Sequence, residues 1–254
     1  MAYPSPLCAV PRVLNSSLSI LSCPFRRAGL FEIGGRATFV NLDSSTLAVI
    51  APVPFDNESE TLIDGKQVKY LIAPDFEHHM ALKGWKDKYP DAIVIGPAGL
   101  RARKATQGVH VDYEITESNK ELTAKDFGVD DPLLDTAFKF VFFERSQNKE
   151  IAILHVATKT FIEADILFNL PAVEQYSKSN VSTNGFFSRI FNTMHPDSVW
   201  HKRLTGQAFS KSTTEGVKTV AGWDFESIIP CHGEVIDKDA KKAFTTLYAD
   251  FLKE

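Results

Sequence analysis

Cysteine is scarce in this chain. There are three among 254 residues, Cys8, Cys23 and Cys231, and they form no CxxC pair. An odd and scattered set excludes a disulfide framework and a cysteine-rich zinc site, and it favours a reducing compartment. Long hydrophobic runs are also missing: none approaches the roughly 18 residues of a membrane span. The 14–21 segment is too short and polar for the apolar core of a secretory leader, so a soluble, cytoplasmic protein is expected. Positive charge is not in excess either. With 28 basic against 32 acidic residues the net charge is −4. Without a basic stripe, neither nucleic acid nor an anionic membrane is an expected partner. Repeats and low-complexity tracts are absent too.

The remaining composition is that of a globular protein, with 44% hydrophobic and 24% charged residues. Residues 37–42 and 46–50 read as a hairpin around the polar turn Asp43-Ser44-Ser45. Residues 68–73 form a further strand stopped by Pro74, and 79–89 an amphipathic helix carrying Met80, Leu82 and Trp85. The apolar run 92–96 suits a strand buried on both faces. Residues 137–143, 150–156 and 160–164 are three more strands, and 186–219 is a helical cover. A last strand, 227–229, precedes a C-terminal helix starting near Asp237, with Ala240, Phe244, Leu247 and Phe251 on one stripe. Strands alternating with helices, then meandering strands, predict one α/β domain with a mixed sheet.

Polar residues gather in three loops that follow strands, where α/β proteins carry their chemistry. The first is Ala73-Pro74-Asp75-Phe76-Glu77-His78-His79, with two imidazoles flanked by two carboxylates. The second contains Asp165 at the end of a β run, and the third is Pro230-Cys231-His232-Gly233. Singly, a His at a strand end is usually a hydrogen-bonded structural residue, and an Asp there a turn-former. Together, imidazoles and carboxylates converging from separate loops suit a metal ion.

In this chain order the loops resemble the metallo-β-lactamase-like superfamily, and within it a domain-of-unknown-function branch with a degenerate metal motif. The stretches carrying the resemblance are Pro24 to Leu30, Ala73 to His79, Trp85 to Ala92, Gly96 to Leu100, Glu150 to Asn169 and Trp223 to Gly233. The resemblance implies an αββα sandwich of two mixed β-sheets flanked by helices. It covers residues 22–254 as a single domain with a helical cover around 184–222, preceded by an N-terminal extension, 1–21. The family motif His-x-His-x-Asp-His falls on Pro74, Phe76, His78 and His79, and the later His of the pattern falls near Ser146. Asp165 matches the bridging carboxylate and His232 the final His. The lost positions belong to the first metal site of the family, so the resemblance implies one retained, second-site ion held by His78, His79, Asp165 and His232.

That donor set suits one divalent metal ion, zinc first, with iron, manganese or nickel as alternatives. Four ligands would fill a tetrahedron, as in a structural zinc, whereas a higher coordination number leaves room for water. The function implied is a metal-dependent hydrolase-like enzyme in which water or hydroxide attacks a small acyl substrate: an ester, thioester or lactone. Asp75 and Glu77 are the candidate catalytic carboxylates, and Asp75 is equally read as a cap of the following helix. Two other classes fit the same residues. One is a non-catalytic or metal-free descendant used for binding; the other is a mononuclear iron oxidoreductase. His155 is read as a core histidine, His195 and His201 as surface residues, and Cys231 as no thiolate. Phe186, Phe187, Trp200 and Trp223 are read as core or lid aromatics.

Overall fold

Side chains alternate along the strands, save at an irregularity around Lys69 of the 67–72 strand, and in most strands both faces are buried. The computed structural model describes residues 3–183 and 185–253, without the side chains of Phe186 and Phe187. Its first strands are β1 (Val10–Val13), β2 (Leu18–Cys23), β3 (Arg26–Arg27), β4 (Phe31–Glu32), β5 (Gly35–Asn41), β6 (Thr46–Ile50), β7 (Gln67–Ile72), β8 (Ile93–Pro97) and β9 (Tyr113–Ile115). They make a seven-stranded sheet in the order β1-β2-β5-β6-β7-β8-β9, with β3 and β4 as a separate ribbon. Pairing is antiparallel as far as β6 and parallel from there to β9. The second sheet follows its own chain order: β10 (Glu121–Leu122), β11 (Phe138–Phe143), β12 (Glu150–His155), β13 (Thr160–Glu163) and β14 (Ser227–Pro230). Only β13 and β14 run parallel there.

Alternation assigns each face. Leu18, Ile20, Val40, Ala48, Ile50, Tyr70 and Ile72 of the first sheet meet Phe138, Phe140, Phe142, Ile151, Ile153 and Ile229 of the second. Their sequence neighbours point outward to helices. Leu21, Phe39, Leu47, Val49 and Leu71 pack with Ile63 of α1 (Asn57–Ile63), Leu82 and Trp85 of α2 (Leu82–Lys88) and Leu100 of α3 (Leu100–Ala105). On the far side Val141, Phe143, Ala152 and Leu154 pack under two helices, contacting Val217 and Val220 at 214–222 and Phe244 and Leu247 at 240–247. The result is the four-layer αββα sandwich expected, with two mixed sheets inside. Arg36, fully buried on β5, joins the layers: its guanidinium donates to Ser22 Oγ at 3.0 Å and to the Pro230 carbonyl at 2.6 Å.

Three expectations change. The boundary at residues 21/22 falls inside β2, which pairs along its whole length with β5 and also with β1, so residues 10–13 and 18–21 are strands of the sheet rather than an extension. The helix expected over 79–89 begins only at Leu82, leaving 73–81 as loop. The C-terminal helix runs Ala240–Leu247, preceded by Asp239 in the left-handed region at φ 54°, so Asp237 is not its cap.

Candidate metal centre

Asp75 organises the loop after β7. Its Oδ1 accepts the backbone N–H groups of Glu77 (2.8 Å) and His78 (2.6 Å), an Asx turn that the short carboxylate side chain favours. The same carboxylate, fully buried, lies 2.9–3.0 Å from Nδ1 of His78. A carboxylate only accepts, so His78 carries its proton on Nδ1 and turns Nε2 away from Asp75. The loop is stitched to the second sheet by Phe76 N–H donating to the Asn148 carbonyl and Ile151 N–H donating to the Pro74 carbonyl.

The second sheet supplies the other two groups. Glu150, at the start of β12, accepts the N–H groups of Ala164 (2.6 Å) and Asp165 (3.0 Å) and so fixes the turn after β13. His232 follows β14 and donates Nδ1–H to the Gly34 carbonyl at 2.7 Å. Its ring stacks on Phe168, with centroids 5.1 Å apart and planes at 10°. Gly233, at φ +90°, allows the chain to turn here: a Cβ on it would lie 2.0 Å from the Asn169 carbonyl oxygen.

The consequence is a convergence of lone pairs. His78 Nε2 and His232 Nε2 face each other at 3.1 Å, and Asp165 Oδ1 lies 3.2 Å from His232 Nε2 yet receives no hydrogen bond. One donor atom from each of the three residues lies within 4.8 Å of the others. With both Nδ1 atoms committed, the neutral imidazoles present two lone pairs and the carboxylate a third, an arrangement that calls for a shared cation. The site draws positive charge, and an ion bound there would compete with a proton on His78. Burial opposes charge on His78, but Asp75 and then Asp165 outweigh it and lift its pKa to about 9. Burial likewise opposes charge on Asp165, and the neighbouring His78 and His232 overcome it, holding the carboxyl below its usual range. Burial keeps His232 low. A cavity of about 10 Å³, lined by Tyr3, Phe25, Arg27, Glu77, His78, Met80, Asp165 and His232, has room for one water-sized body. These residues fit a metal ion.

The structure thus brings together three of the four expected ligands. His79 is not among them: its ring is buried, and neither nitrogen has a hydrogen-bond partner among the described residues. Burial, then Lys104 and Arg103, push its pKa down to about 4. Adjacent residues in a tight turn project in different directions, and the Asp75 turn selects His78. Asp75 itself sits behind His78 with both oxygens engaged, so it positions the ligand instead of meeting substrate. Glu77 lines the small cavity, and its carboxylate has no partner among the described residues. Phe76, where the family motif was expected to carry a His, packs its ring under Arg103 and Lys149, each 5.3 Å from the centroid.

Two contributors had no imidazole to draw attention to them. The Asn148 amide donates to Asp165 Oδ2, close to where the later family His was expected, while Ser146 only closes the turn by accepting the Glu150 N–H. Arg27 Nη1 stands 3.9 Å from Asp165 Oδ2. Arg27, Asn148 and Asp165 also line a neighbouring cleft of about 300 Å³, walled by Phe168, Phe191, Met194, Leu204 and Phe209. His155 is a core residue bonded through Nδ1 to Thr158 at 2.7 Å. His195 is exposed as expected, but His201 is buried, accepting the Phe168 N–H and donating to the His195 carbonyl. The Cys231 thiol is raised by burial and is no thiolate. Trp223 is core and Trp200 exposed, while the Phe186 and Phe187 side chains lie outside the described residues.

No protein-family model matches the chain. No curated protein matches it either. Solved structures do. The DIM-1 metallo-β-lactamase exposed to ceftazidime aligns with a TM-score of 0.60 at 12% identity, over 95% of this chain and 97% of that one. The FIM-1 metallo-β-lactamase from Pseudomonas aeruginosa in its mono-zinc form aligns at 0.61 and 11%, over 99% and 98%. A mutant flavo-diiron protein from Thermotoga maritima aligns at 0.66 and 14%, over 96% of this chain and 62% of that one. The chain therefore has the metallo-β-lactamase-like αββα fold, with a candidate His-Asp-His metal site at the edge of its sheets. Among the described residues no helix is long and apolar enough to cross a membrane.

Proposed function

We propose that this protein is a single-metal hydrolase acting on an acyl substrate: an ester, thioester or lactone. The observation that carries the reading is the pair of Nε2 lone pairs 3.1 Å apart beside an unpartnered Asp165 Oδ1. Three protein ligands, where four were expected, leave a coordination position for water, the pattern of catalytic rather than structural zinc. Zinc is the first candidate, with iron or manganese as alternatives. When bound, such an ion supplies a water of lowered pKa and a Lewis acid for a carbonyl. The chain's own residues do the rest. Asp75 and the Gly34 carbonyl hold the two imidazoles in their ligating tautomers, and Asn148 holds Asp165. Glu77, beside the same cavity, accepts a proton from the attacking water. Arg27 and the Asn148 amide line the cleft where a substrate carbonyl or its anionic partner would lie. The small-molecule substrate is supported by the size of that cleft, about 300 Å³.

The test is metal content with activity. Purified protein is expected to hold about one metal ion per chain and to hydrolyse generic aryl esters slowly until a chelator is added. His78→Ala and Asp165→Ala are expected to lose both properties, whereas His79→Ala keeps the metal. Metal-free protein that takes up no ion and is no more stable with it would point to the non-catalytic scaffold instead. Iron accompanied by oxygen consumption would point to the oxidoreductase.

A further inference from the structure

The cleft that reaches Asp165 has a neighbour along the helical cover. It shares Phe191, Met194 and Leu204 with a second cavity of about 500 Å³. The lining changes along this path. At one end stand Arg27, Asn148 and Asp165; at the other, Ile190, Trp200 and Leu204. Ile190 and Trp200, which line the second cavity, are 62% and 61% exposed. A groove polar where it meets the metal site and apolar beyond it matches a ligand built the same way. Met194 and the aromatic walls adapt to chains of different shape.

We infer that the substrate carries a medium or long apolar acyl tail, lying between Leu204 and Trp200, with its hydrolysable carbonyl at the Asp165 end. This deepens the hydrolase reading and rests on it for the position of the carbonyl. The affinity of the groove for a tail does not depend on that reading. The occupant is the substrate's own tail rather than a second copy of the chain, because the cavity beside Trp200 shares three wall residues with the cleft that reaches Asp165.

Two measurements on the full chain test it. The first uses fluorescence: of the three tryptophans, Trp85 and Trp223 are buried, so Trp200 reports on the groove. Titration with neutral n-alkanols of six, eight and ten carbons is expected to change the emission saturably. Affinity should rise about twofold to fourfold per methylene that leaves water. Trp200→Phe should remove the signal, and Leu204→Gln, at a part-exposed site, should weaken decanol binding by about tenfold without changing metal content. The second measurement follows p-nitrophenyl acetate, hexanoate and octanoate with metal-loaded protein. Here kcat/KM should climb with chain length in the wild type and flatten in Leu204→Gln. Alkanol binding without ester hydrolysis would remove the hydrolase reading and keep the groove. Hydrolysis indifferent to chain length, with no alkanol binding, would overturn the inference and keep the hydrolase. A concentration-dependent dimer that shields Trp200 and excludes alkanols would overturn it in favour of a second copy.

Discussion

Asp75 and the Gly34 carbonyl act on the two imidazoles in the same way, each accepting a hydrogen bond from Nδ1–H so that Nε2 is left to ligate. Asp75→Asn keeps an oxygen for the backbone turn but weakens the charged acceptor behind His78. It is expected to lower metal affinity by about 10–100-fold, read by competition with a chromophoric chelator, with the fold retained. Unchanged affinity would mean that Asp75 serves the turn alone. This is also the scale at which the sequence was only partly legible. His78, Asp165 and His232 stand out by residue type and chain order. The choice between His78 and His79 depends on a turn that the Asp75 hydrogen bonds set, and spacing does not reveal it. Asn148 escapes notice because an amide fills a place where an imidazole was sought.

At the level of the element, runs rich in β-branched and aromatic residues made the central strands readable, since β5 to β8 and β11 to β14 are largely buried. Strand β2 was obscured because Ser19 and Ser22 interrupt it, although Leu18, Ile20 and Leu21 are buried in the two cores. Each of these side chains contributes about 1.5–3 kcal/mol on burial, which together rivals the net stability of a typical domain. A chain beginning at Ser22 would also lose most of the ladder on β5. It is expected to be insoluble or to show no cooperative thermal transition by circular dichroism. A truncated chain melting within a few degrees of the full one would restore the boundary at residue 21. The helical cover was legible as helix, but the wall it gives the cleft follows from tertiary packing.

For the whole molecule, the site exists because the two sheets keep a fixed relation: His78 comes from the first, Asp165 and His232 from the second. Arg36 bonds across that interface to Pro230, two residues before His232. Buried neutral histidines make the fold sensitive to acid. Burial lowers His155 to about 4, whereas the unfolded residue titrates near 6.5. Protonation therefore favours the unfolded chain, so its contribution is complete above about pH 6.5 and is lost as the pH falls towards 4. Glu150 and Glu163, raised by burial, act in the opposite sense over part of this range, so the test is a difference. Between about pH 7.5 and 4.5 the wild type should lose more stability in urea than His155→Gln, and parallel losses would contradict the assignment. The central claim, one ion between two imidazoles and one carboxylate, is tested most directly by an anomalous-scattering map of zinc-loaded crystals. A single peak per chain is expected, in contact with Nε2 of His78, Nε2 of His232 and a carboxylate oxygen of Asp165. A peak at His79, a second ion beside Phe76, or no peak between the three side chains would contradict it.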